Sequence, residues 1–252
     1  MVGNYRVGAV LGRGGVGPVR RGKDSSGRPV ALELVSVGGA GPALASVVEA
    51  VSRCGAPGLL PVQDVVALPG GLALVTPLVP EGSLADALTR RRAPAAAAVA
   101  RGAAAVADSL AGLHRAGLAH GDLKPASILL PPGGPLVADA GLATWLAGAG
   151  AAGWPLLSAG TVEYLDPEVA EGRAPSPAGD VYALGIVCWE ALVGHPPFRG
   201  HTPLATLRAA SRARPPNLRD VRPDVPPELA DLVMAAMARR AGDRPDGASE
   251  LA

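Results

Sequence analysis

The chain changes character at Pro77, and that change most limits what it can fold into. Before it, short β-favouring runs at 5–8, 18–22, 30–35, 62–68 and 72–76 are separated by turn residues. Ser25-Ser26-Gly27 and Pro69-Gly70-Gly71 supply two hairpin turns. A helix is predicted at 42–53, with Pro42 near its start and Gly55 and Pro57 past its end. After Pro77, residues 95–115 are alanine-rich and helix-favouring. Strand-like 128–130 and 136–138 bracket a Pro-Gly turn, and helices return at 180–193, 203–210 and 228–239. From Gly141 to about Asp166 the chain reads as a long loop. A strand-rich front and a helix-rich back predict an α+β, bilobal architecture. Residues 1–78 form the small β-rich lobe with one helix, and 79–252 form the larger helical lobe. With 48% apolar residues but only three Trp, three Tyr and one Phe, the core rests mainly on Leu, Val and Ala.

Four motifs are set on this frame. Gly12, Gly14 and Gly17 form G-x-G-x-x-G, followed by Val19. Dinucleotide-binding folds share that spacing, but there the glycines open a helix. Here Pro18-Val19-Arg20-Arg21-Gly22 is no helix start, although Pro18 removes one backbone donor. Val30-Ala31-Leu32-Glu33 follows. Further on stand His120-Gly121-Asp122-Leu123-Lys124-Pro125-Ala126-Ser127 and Asp139-Ala140-Gly141. Together these stretches resemble a protein kinase domain, over about residues 5–250 and most nearly the eukaryotic-like bacterial Ser/Thr kinases.

That resemblance implies roles residue by residue. The glycine-rich hairpin would cover the phosphates of ATP, with Val19 and Ala31 above the adenine and Leu129 below it. Thr76, Pro77 and Val79 fit the gatekeeper and hinge, offering adenine the Pro77 carbonyl and the Val79 N–H. Asp122 fits the base that orients the attacking hydroxyl, and Lys124 the cation at the transferred phosphate. Asp139 and, more weakly, Ser127 fit the Mg²⁺ ligands. Asp180 would hold the backbone of the 120–127 loop, and Glu168 would pair with Arg244.

Four departures fall in this machinery. Glu33 stands where the family has the lysine that bridges the phosphates and a helix glutamate. The helix candidate is Glu49, so two carboxylates would meet. At about 4 Å and an effective dielectric near 20, a unit-charge contact is worth roughly 4 kcal/mol. Reversing its sign costs several powers of ten in rate, unless Glu33 swings away, is protonated or is offset by another cation. Arg21 on the preceding strand is the candidate cation. Gly121 replaces the arginine that reads a phosphorylated activation loop, in which Thr144 and Ser158 are the candidate acceptors. Ser127 replaces the asparagine of the second metal site. Ala140 replaces a phenylalanine whose packing sets active geometry, and Arg53 would lie near the same apolar spine.

The remaining composition excludes more than it assigns. A net charge of +1 gives no case for nucleic acid or an anionic membrane. Cys54 and Cys188 read as small buried hydrophobes in a reducing cytosol. The expectation is a cytoplasmic domain, possible also as the cytosolic part of a longer, membrane-anchored protein. The favoured reading is a pseudokinase used as a scaffold or regulatory domain in signalling, with weak or absent binding of ATP and Mg²⁺. Its partners would be proteins, such as a phosphopeptide-reading domain or an upstream kinase. The alternatives are a weak Ser/Thr kinase and a nucleotide-binding switch without transfer.

Overall fold

The computed structural model describes residues 1–36, 41–90, 94–148, 162–212 and 214–251. Strands β1 (Arg6–Arg13), β2 (Pro18–Lys23), β3 (Pro29–Ser36), β4 (Asp64–Leu68) and β5 (Gly71–Pro77) form one antiparallel sheet in the order β1-β2-β3-β5-β4. Helix α1 (Gly41–Arg53) lies between β3 and β4 in the chain. Side chains alternate across a strand. Val30 and Leu32 of β3 therefore pack with Val75 on one side of the sheet. Val35 packs with Leu44, Val48 and Leu74 on the other. Glu33 shares that second side with Ala31 and Val35, so its register points it into the molecule.

The helical lobe follows: α2 (Leu84–Thr89), α3 (Ala96–Arg115), strands β6 (Ile128–Leu129) and β7 (Leu136–Val137), α4 (Leu142–Gly148), α5 (Pro167–Ala170), α6 (Pro177–Val193), α7 (Pro203–Arg212), α8 (Leu218–Val221) and α9 (Pro227–Ala236). Helix α6 is buried on nearly all sides, as its apolar run requires. Ser176 caps its start by accepting the N–H of Gly179, and Gly194 ends it at φ 94°. Helix α3 has the length and apolarity of a membrane span. Its Val106, Leu110 and Leu113 are buried within this lobe. The short side chains of α3 leave a cavity of about 650 Å³ against α2, the β6–β7 turn and α6.

The lobes are joined by backbone. Leu60 N–H donates to the Val137 carbonyl at 2.8 Å, and Val137 N–H donates to that of Gly58 at 2.7 Å. The expected elements are present, with one correction to the loop expected from Gly141 onward. Residues 142–148 are helical, because Leu142, Trp145 and Leu146 fall at i, i+3 and i+4 and share one apolar face.

Candidate functional site

A cleft of about 480 Å³ lies between the sheet and the helical lobe. Gly12, Gly14, Val19, Ala31, Thr76, Pro77, Val79 and Leu129 all border it, as do Glu33 and Asp139. The eight expected nucleotide-contacting positions are thus gathered on one surface. Gly17, the ninth, is set back against β3. A Cβ there would lie 1.8 Å from the Leu34 carbonyl oxygen, so only glycine permits the approach.

At the inner end of the cleft the glycine-rich loop rests on carboxylates. Glu33 is 7% exposed, and its Oε1 accepts the N–H of Val16 at 2.9 Å and of Gly17 at 3.0 Å. Asp139 Oδ2 accepts the N–H of Gly15 at 3.0 Å. A loop of this type uses such N–H groups to cradle phosphate. Here three consecutive ones are satisfied by the chain's own acids. Burial, and next the nearby Asp139 carboxylate, push the Glu33 pKa up to about 8, against the two amide bonds and Lys124, which favour its anion. Burial and the neighbouring acid thus favour the neutral form at position 33 over the anion. Burial also raises the pKa of Asp139, which adopts φ 63°.

Glu49 is not the neighbour of Glu33. It turns to solvent and pairs with Arg53 at 3.8 Å, with side chains 67% and 72% exposed. Helical residues one position apart point about 100° apart, and it is Val48 and Val51 that face the cleft. The expected clash of 33 with 49 is therefore absent, and the close carboxylate is Asp139. Arg53 likewise lies outside the apolar spine. Arg21 lines the cleft mouth and is exposed. Among the described residues, no ion pair joins it to Glu33.

The 120–127 loop is held by hydrogen bonds from several directions. Asp180, 1% exposed, accepts the N–H of His120 at 2.7 Å and of Gly121 at 2.8 Å, and meets His114 Nε2 at 2.8 Å. His120 Nε2 lies 2.8 Å from the Ala138 carbonyl, and its Nδ1 accepts the N–H of Asp122. The Ala138 carbonyl thus takes a hydrogen from Nε2 and orients the ring. Gly121 sits at φ 78°, where a Cβ would come within 2.9 Å of Ala143 and Pro175, so the family's arginine has no room. Lys124 Nζ pairs with Asp122 at 2.5 Å. Ser127 Oγ donates to the Lys124 carbonyl and accepts its N–H, which commits the hydroxyl to the loop itself. Among the described residues no cluster of three metal-binding side chains occurs.

Two features escaped the sequence reading. First, Leu142 and Trp145 of α4 join Leu44, Val48 and Leu74 in one buried cluster. The start of the activation segment is thereby docked on α1 as a helix. Within α4 the Thr144 hydroxyl donates to the Ala119 carbonyl at 3.1 Å. Ser158 lies outside the described residues. Second, Arg244 does not pair with Glu168. Its guanidinium takes both oxygens of Asp166, at 2.8 and 3.0 Å, and lies 5.0 Å from the Tyr182 ring centre. Glu168 pairs with the exposed Arg173 instead. Asp166 outcompetes it because it is itself buried and a two-pronged pair is the stronger geometry.

The protein kinase domain family matches residues 5–251. This chain belongs to the protein kinase family. It is 35% identical to the serine/threonine-protein kinase PkaB of Streptomyces coelicolor, over 95% of this chain and 60% of that protein. To the serine/threonine-protein kinase PknL of Mycobacterium tuberculosis it is 34% identical, over 95% of this chain and 62% of the relative. The chain thus spans about three fifths of these two curated relatives. A crystal structure of Rad53 1-466 in complex with AMP-PNP shares the kinase fold, with a TM-score of 0.81 at 21% identity over 98% of this chain and 64% of that one.

Proposed function

We propose that this kinase domain works without phosphotransfer, as a protein-binding scaffold or regulatory domain in signalling. One observation carries the reading. Glu33 occupies the lysine position, is buried there, and holds the glycine-rich loop by the N–H groups of Val16 and Gly17. Among the described residues no ion pair is made by Glu33, and Lys124 is paired with Asp122. The fold-holding contacts of Asp180 and Arg244 persist, so the surface is maintained while the phosphate end is rebuilt. The partners fitting this role are proteins, a phosphopeptide-reading domain or an upstream kinase among them, and the compartment is the cytoplasm. ATP and Mg²⁺ would be held weakly, with Asp139 as the remaining metal ligand.

A second reading, a weak Ser/Thr kinase, is favoured by the intact Asp122, Lys124 and Asp139 and by relatives named as kinases. Transfer of the γ-phosphate of Mg²⁺-ATP to a generic protein substrate separates the two. The expected result is no transfer above the level of Asp122→Asn. Transfer that Asp122→Asn abolishes would overturn the scaffold reading.

A further inference from the structure

We propose that the cleft takes an uncharged, phosphate-free heterocycle of the nucleoside class in preference to a nucleoside triphosphate, because Glu33 and Asp139 occupy the backbone donors that phosphate needs. This rests on the reading of the domain as non-transferring and adds what its cleft accepts.

The two ends of the cleft differ. The outer end keeps a slot for a flat ring, between Val19 and Ala31 on one side and Leu129 on the other, with Pro77 and Val79 along its edge. Leu11, half exposed at the mouth, extends the apolar wall. The volume of about 480 Å³ is within the usual range for small-molecule sites. The inner end has no vacancy for an anion. The N–H groups of Gly15, Val16 and Gly17 point at Asp139 and Glu33. The seal is close, since a Cβ on Gly14 would lie 2.4 Å from Glu33 Oε1. A phosphate entering here must break the bonds to Glu33 and then stand beside Asp139. Glu33 opposes it whether protonated or not, because its oxygen holds the amides in either form. The cations that border the cleft, Arg13 and Arg21, sit at its mouth, and Lys124 is engaged by Asp122. A phosphate-free ligand meets none of these obstacles.

Calorimetric titration of the chain with adenosine, and with ATP with and without Mg²⁺, tests this. Adenosine is expected to bind at least tenfold more tightly than either form of ATP. Glu33→Gln keeps an oxygen at the amides and should preserve that preference. Glu33→Lys should raise ATP affinity at least tenfold while leaving adenosine within about twofold. ATP binding more tightly than adenosine in the unaltered chain would overturn the inference, as would binding of neither. So would a preference lost in Glu33→Gln, or ATP affinity unmoved in Glu33→Lys. ATP binding more tightly than adenosine, without transfer, would sink this inference alone, whereas phosphate transfer would sink the scaffold reading beneath it.

Discussion

Asp180 and Glu33 are both buried carboxylates that hold a loop by its backbone N–H groups, yet their surroundings differ. Asp180 takes the amides of His120 and Gly121 and also meets the imidazole of His114. Both of its oxygens are met by donors. Glu33 takes the amides of Val16 and Gly17, but the nearby group that dominates its electrostatics is another acid, Asp139. Burying a charge is tolerated where donors surround it and resisted where a like charge faces it. The same device therefore fastens the 120–127 loop firmly and the glycine-rich loop with a cost that depends on protonation. In the first case the fold of an active kinase is preserved. In the second, a loop whose amides serve phosphate is turned inward on the protein.

The largest effect that would break this contrast is at Asp180. Asp180→Ala strands the N–H groups of His120 and Gly121 and the imidazole of His114, and should cost about 3–5 kcal/mol of unfolding free energy in urea titration. A loss under about 1 kcal/mol would show that Asp180 is no anchor.

The smaller effect is at Glu33 and appears only as a function of pH. Its folded pKa, about 8, lies above its ordinary value of 4.5. Between those values the folded protein binds more protons than the unfolded chain, so stability falls as pH rises. The contribution is fully present below about pH 4.5 and is lost by about pH 8. Glu33→Gln removes it. The melting curve of the unaltered chain should therefore decline more steeply from pH 5 to 8 than that of Glu33→Gln, by on the order of 1–3 kcal/mol. Parallel profiles would mean that the acid is not buried beside Asp139.

Much of this was legible in the sequence. The 120–127 loop and its anchor Asp180 are marked by residue order, and the position of Glu33 follows from the motif Val30-Ala31-Leu32-Glu33. What was not legible depends on direction and competition in space. Glu49 and Val48 are neighbours in sequence but point to opposite environments, and a helix register of one residue decides which meets the cleft. Arg244 had two acids within reach, Asp166 and Glu168, and burial chose between them. The helix at 142–148 stands amid glycine and alanine, and only the spacing of Leu142, Trp145 and Leu146 signalled it. That Glu33 would find its partners in the loop's own amides had no sequence signal, because it follows from the loop settling inward rather than from any residue type.

Everything at the phosphate end turns on Glu33 holding the amides of Val16 and Gly17. Hydrogen exchange of those two N–H groups, followed by NMR in the unaltered chain and in Glu33→Ala, tests it directly. At least tenfold slower exchange in the unaltered chain is the result this structure predicts. Equally fast exchange in both proteins would contradict it.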